Sequence, residues 1–99
     1  MINLAPQDLR IVCNIMRRHV PDYEVRVFGS RVTGTAKKFS DLDLVIMSNK
    51  PVARSIMRKI ADDLDESDLP ILVDVLDWQR ISPSFQAIIE KRYEILHLN

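Results

Sequence analysis

The chain has 99 residues, 46% of them apolar and 28% charged, with fourteen Lys/Arg balanced by fourteen Asp/Glu. That length buries one core and is too short for two domains, so residues 1–99 are read as a single unit. Neutral overall charge argues against a nucleic-acid coat or a membrane-surface protein, since both carry excess positive charge.

The balance conceals a split. Residues 1–50 hold eight Lys/Arg against five Asp/Glu, and residues 51–99 hold six against nine, so a surplus of three positive charges gives way to three negative ones. A lone cysteine, Cys13, lies among apolar neighbours and reads as a small buried hydrophobe without a disulfide. With no signal peptide and no apolar run near the ~20 residues of a membrane span, the expected compartment is the cytoplasm.

In chain order, residues 6–19 place Leu9, Val12, Cys13 and Met16 at i, i+3, i+4 and i+7, with Pro6 suited to a first turn. That spacing predicts an amphipathic packing helix. Pro21-Asp22 ends it, and the alternation from Tyr23 to Phe28 predicts a strand delivering Gly29 and Ser30 to its end. A polar loop follows. A second strand, residues 41–47, opens with Asp41-Leu42-Asp43. Side chains alternate across a strand, so Asp41 and Asp43 share one face, ~7 Å apart along the strand, while Leu42, Leu44 and Ile46 take the other.

Ser48-Asn49-Lys50-Pro51 is a turn that can also cap a helix over about residues 52–65, with Val52, Ala53, Ile56, Met57, Ile60, Ala61 and Leu64 on one stripe. Its charges oppose the helix dipole, with Arg54, Arg58 and Lys59 early and Asp62, Asp63, Asp65 and Glu66 late. Arg58–Asp62 and Lys59–Asp63 recover a little as i,i+4 pairs. The charged face is either simply solvated or a partner-docking face. Leu69–Leu76 predicts a third strand, interrupted by Asp74, whose burial in an apolar run demands a hydrogen-bonding partner or a cation. Ser82-Pro83 opens a last helix, and Tyr93–Leu98 is either an edge strand or a fraying helix.

Asp41, Asp43 and Asp74 fall on two strands which, if neighbours, bring three carboxylates to one face. Like charges that close raise one another's pKa unless a cation neutralises them, and hard oxygen donors select Mg²⁺ or Mn²⁺. Gly29 allows a phosphate to approach the backbone and Ser30 offers a hydroxyl, while Arg31, Lys37 and Lys38 put positive charge beside them. Asp77 is a rival to Asp74, but its strand parity points it to the far face. His19 suits a helix end, and Trp78 is either a packing residue or a contact platform for a partner or nucleobase.

The set Gly29-Ser30-Arg31, Gly34, Ser40-Asp41-Leu42-Asp43 and Val73-Asp74-Val75 resembles the minimal nucleotidyltransferases of the DNA polymerase beta superfamily. The resemblance implies an α+β fold, a small mixed β-sheet with helices packed on it, and transfer of a nucleoside monophosphate, AMP from ATP above all, with release of pyrophosphate. It implies Asp41, Asp43 and Asp74 as catalytic and metal-binding residues holding Mg²⁺ or Mn²⁺, and Gly29, Ser30 and Arg31 as nucleotide-binding residues. Arg31 is also open to reading as a structural tie across the loop. Many such small proteins act as antitoxins of a helical HEPN-type toxin, a ribonuclease, and transfer AMP to its tyrosine. No nucleic-acid template is expected in a chain this short, and another chain, in a homo- or hetero-oligomer, is expected to complete acceptor specificity. Two further readings stand beside this one: a non-catalytic antitoxin that neutralises a helical partner sterically, and aspartates that are merely solvated strand ends.

Overall fold

Pro6 opens the first helix, α1 (Pro6–His19), in the computed structural model, which describes residues 2–98. Proline there sacrifices no hydrogen bond, and Asp8 in the first turn with Arg17, Arg18 and His19 in the last complement the helix dipole. Pro21-Asp22 then turns the chain, the Tyr23 amide donating to the Val20 carbonyl at 3.3 Å. Strand β1 (Val25–Phe28) therefore starts two residues later than the alternation predicts.

Gly29 leads into a four-residue helix, α2 (Ser30–Thr33), where a polar loop was expected to begin. The loop itself runs from Gly34 to strand β2 (Leu42–Ile46), and helix α3 (Arg54–Glu66) follows. Strand β3 (Val73–Asp77) is shifted from the expected Leu69–Leu76, because Pro70 has no N–H for the ladder. Leu69 and Ile71 pack against the core from irregular backbone instead. A 3₁₀ turn (Trp78–Arg80) precedes α4 (Pro83–Lys91), whose Ser82 cap accepts from the Phe85 amide at 3.2 Å. The Tyr93–Leu98 stretch contains an edge strand, β4 (Glu94–Leu96).

The sheet runs β3-β2-β1-β4, with β1 antiparallel to β2 and β4, and β2 parallel to β3. It is the mixed sheet of an α+β fold. Its register sorts the side chains into two layers. Val25, Val27, Leu42, Leu44 and Ile46 face α1 and α3, meeting Val12, Met16, Ile60 and Leu64. On the other face Phe28 and Val45 meet Ile89 and Phe85 of α4, with Phe28 and Phe85 edge to face at 5.8 Å. Each such buried side chain contributes about 1.5–3 kcal/mol, so the α1–α3 layer supplies most of the stability. Trp78 packs against the α4 layer.

Between α1 and α3, Asp63 accepts from Arg18 (2.8 Å) and pairs with His19 Nε2 (2.6 Å). The His19 hydrogen bond outweighs desolvation and, with Arg18, holds the Asp63 carboxyl below its ordinary pKa. Asp63 is thus engaged across helices and not with Lys59, whereas the predicted Arg58–Asp62 pair is present at 3.7 Å. Cys13 is half-buried, with its thiol 3.5 Å from the His97 carbonyl, and burial raises its pKa. No helix among the described residues is long and apolar enough to cross a membrane.

Candidate active site

Helix α4 covers only part of its sheet face, and the three aspartates lie on the same face beyond it. Asp43, in β2, stands in register between Phe28 of β1 and Asp74 of β3. Neighbouring strands are ~4.8 Å apart, so the Asp43 and Asp74 side chains rise side by side. Asp41 precedes β2 by one residue, on the same face by parity, and both it and Asp74 are exposed. Asp43 is half-buried.

The three charges act on one another. Burial, reinforced by the charges of Asp74 and Asp41, pushes the Asp43 carboxyl above its ordinary pKa. Among the described residues none of the three has a hydrogen-bonding or ion-pair partner to relieve that repulsion. A cation would relieve it. No three carboxylate, imidazole or thiol groups are gathered into a ready-made metal cage among the described residues. An open, all-oxygen array of this kind fits Mg²⁺, which is held through one or two carboxylates together with substrate phosphates and seldom by a closed protein cage.

Gly29 forms the wall beside them. Its backbone, at φ +79° and ψ −156°, occupies a region essentially reserved for glycine. It lies so close to Asp43 that a Cβ there would fall 2.5 Å from Asp43 Oδ2. The glycine thus does two things: it turns the chain from β1 into α2, and it lets the main chain touch the carboxylate. Ser30, the first residue of α2, is partly exposed next to it.

Arg31 differs from the expectation of a phosphate contact. Its side chain is 6% exposed and donates to main-chain carbonyls: Nη1 to Asn3 (2.8 Å), Nη2 to Lys38 (3.2 Å) and Ser40 (2.9 Å), and Nε to Ser40 (3.2 Å). The guanidinium is turned inward and serves as the tie across the loop. It binds α2 to the N-terminal segment and to the residue preceding Asp41. Lys37 and Lys38 remain exposed.

Asp77 lies on the α1–α3 face, as its parity predicts, and is 3% exposed. Its carboxylate accepts from Ser48 Oγ, from the Val52 amide (2.7 Å), from the Gln79 amide (3.1 Å) and from Arg80 Nη1 (3.1 Å). This network is structural and was not foreseen. Only Asp77's position at a strand end hints at it, since two of its four partners, Ser48 and Val52, lie 29 and 25 residues earlier.

A strand, a glycine-serine corner and a carboxylate pair faced by a third across parallel strands are the frame of a nucleotidyl-transfer domain. The nucleotidyltransferase domain family matches residues 9–96, and the chain belongs to it. It is 44% identical over 95 residues to the probable protein adenylyltransferase MntA of Haemophilus influenzae, covering 96% of this chain and 83% of that relative. Among solved structures, a toxin–antitoxin complex with AMP-PNP superposes with a TM-score of 0.74 at 21% identity, over 92% of this chain and 73% of the other. The complex of a tri-AMPylated Shewanella oneidensis HEPN toxin with its MNT antitoxin gives 0.59 at 18% identity, over 94% and 71%. At those identities the structural likeness establishes the fold.

Proposed function

We propose that this nucleotidyltransferase moves AMP from ATP to a hydroxyl on a partner protein, and that the partner is a HEPN-type toxin that the transfer silences. The observation that carries the reading is the in-register pair Asp43–Asp74, with Asp41 on the same face and the Gly29 main chain against Asp43. The 44% identity to a probable protein adenylyltransferase supports the choice of AMP and of a protein acceptor.

In this reading the Gly29-Ser30 backbone and the Ser30 hydroxyl hold the β- and γ-phosphates. Asp41, Asp43 and Asp74 hold Mg²⁺ or Mn²⁺, which when bound neutralises charge on the phosphates and lowers the barrier to attack. Asp74, exposed on its edge strand, also accepts the proton of the attacking hydroxyl. That oxygen then attacks the α-phosphorus in line. A new P–O ester bond forms, the bond to the β-phosphate bridging oxygen breaks, and pyrophosphate leaves. Arg31 acts from behind, holding Ser40 and with it the start of the Asp41-Leu42-Asp43 segment.

The test is incubation with ATP, Mg²⁺ and the co-expressed neighbouring protein, followed by intact-mass measurement of that protein. The expected result is a gain of one or more AMP groups that is lost with Asp41→Ala or Asp43→Ala. Full neutralisation of the partner by those same variants would replace the reading with that of a steric antitoxin.

A further inference from the structure

The sheet face opposite the three carboxylates carries a cleft of about 480 Å³ at the outer edge where β3 meets the first half of α3. Its lining is Arg54, Met57 and Arg58 from α3, Val75 and Asp77 from β3, and Arg80 from the 3₁₀ turn. Three arginines from two separate parts of the chain thus line one hollow.

That arrangement is electrostatically unfavourable as it stands. Arg54 and Arg58 are like charges at i,i+4, which destabilises a helix, and both lie in the half of α3 where the dipole disfavours cations. The neighbouring acids compensate in part, since Asp77 forms an ion pair with Arg80 at 3.1 Å but no acid pairs with Arg54 among the described residues. Asp77 is already supplied by Ser48, Val52, Gln79 and Arg80, and Asp62 meets Arg58 only at the rim, at 3.7 Å with both side chains largely exposed. Arg80 is held in place through one nitrogen: Nη1 donates to the Val52 carbonyl (2.6 Å) and to Asp77 Oδ2 (3.1 Å). Its Nε and Nη2, together with the whole Arg54 guanidinium, have no partner among the described residues. A fixed arginine fork with spare donors, flanked by two more arginines on an apolar floor of Met57 and Val75, matches a planar-fork recognition of tetrahedral oxyanions.

We propose that this cleft is an anion site for a phosphate-class oxyanion, separate from the carboxylate site and independent of the reaction assigned to it. Its volume lies in the range of small-molecule sites and suits a phosphate or diphosphate group. The group is either free, as in pyrophosphate, or part of a nucleic-acid backbone.

The experiment follows the arginine Nε–Hε signals of the ¹⁵N-labelled full chain by NMR at low ionic strength, without divalent metal. Sodium pyrophosphate is titrated in one arm and a short single-stranded RNA in the other, each against sodium chloride of matched ionic strength. A saturable shift of Arg80 Nε is expected, and it is expected to weaken by about tenfold or more in Arg54→Gln/Arg58→Gln, both exposed positions that leave the fold intact. Saturation by pyrophosphate alone supports a free phosphate ligand, and tighter saturation by RNA supports a backbone phosphate. An Arg80 signal that does not saturate in either arm, that moves equally with chloride, or that saturates unchanged in the double variant overturns the proposal. Since the signal is read at Arg80, pyrophosphate bound among the aspartates does not register, and loss of AMP transfer leaves the outcome unaffected.

Discussion

Substituting Gly29 by alanine isolates the closest contact in the site. Alanine at φ +79°, ψ −156° carries about 1–3 kcal/mol of backbone strain. Its Cβ would also lie 2.5 Å from Asp43 Oδ2, so the carboxylate must retreat to at least the 3.4 Å of ordinary contact, an overpacking cost of about 1–3 kcal/mol more. The sum, about 4 kcal/mol, corresponds to a fall in Tm of about 15–30 °C for a domain of this size. Gly34→Ala is the internal control. It has a similar φ of +86°, but nothing lies within 4 Å of the added Cβ, so only the strain of about 1–2 kcal/mol is expected. Urea unfolding of the single variants and of Gly29→Ala/Asp43→Ala completes a double-mutant cycle in which the overpacking part, about 2 kcal/mol, is recovered. In the transfer assay the same displacement of Asp43 costs about a hundredfold in rate. Equal losses for Gly29→Ala and Gly34→Ala, or a loss undiminished without the Asp43 carboxylate, would refute the reasoning.

Other perturbations separate the roles of the charged residues. Because burial and its acidic neighbours raise the Asp43 pKa, the metal-free protein loses stability as pH rises through that raised value; Asp43→Asn therefore melts higher than the parent at pH 7 and level with it in acid, while losing transfer. A lower melting point at pH 7 would contradict the repulsion described. Asp77→Ala strands four donors and costs about 3–5 kcal/mol in urea unfolding, whereas exposed Asp74→Ala stays within about 0.5 kcal/mol of the parent and loses activity. Equal unfolding free energies for the two variants would contradict the separate roles assigned to them. Arg31→Lys keeps the charge but gives up the carbonyl ties, at about 1–3 kcal/mol, and lowers kcat more than it raises the KM for ATP. A rise in KM alone would restore Arg31 to the phosphates.

Local patterns in the sequence were sufficient where the structure is decided locally. The 3.6-residue stripe of residues 6–19, the Ser82-Pro83 start of α4 and the opposite faces of Asp43 and Leu42 all appear as read, because propensity, capping and pleat act within a few residues. Strand ends were less legible. Tyr23 and Leu69 suit a strand by composition, but a turn hydrogen bond and Pro70 keep them out of the ladder. Least legible were groups whose partners are remote in the chain. Arg31 reaches Asn3, 28 residues away, His19 reaches Asp63 across 44, and Asp77 reaches Ser48 across 29; no periodicity encodes such pairings. The short α2 is illegible for a related reason, since a four-residue helix is too brief to show a hydrophobic period.

The Asp77 network has a consequence at a distance. By clamping the turn after β2 to the end of β3, it locks the sliding coordinate of the two parallel strands, Ile46 beside Asp77, and so dictates that Asp43 arrives beside Asp74 three rungs earlier. One aspartate on the dry side of the sheet thus aligns two on the wet side, and a variant that silences the enzyme from position 77 would be reporting a misplaced rung, with no missing chemical group at all.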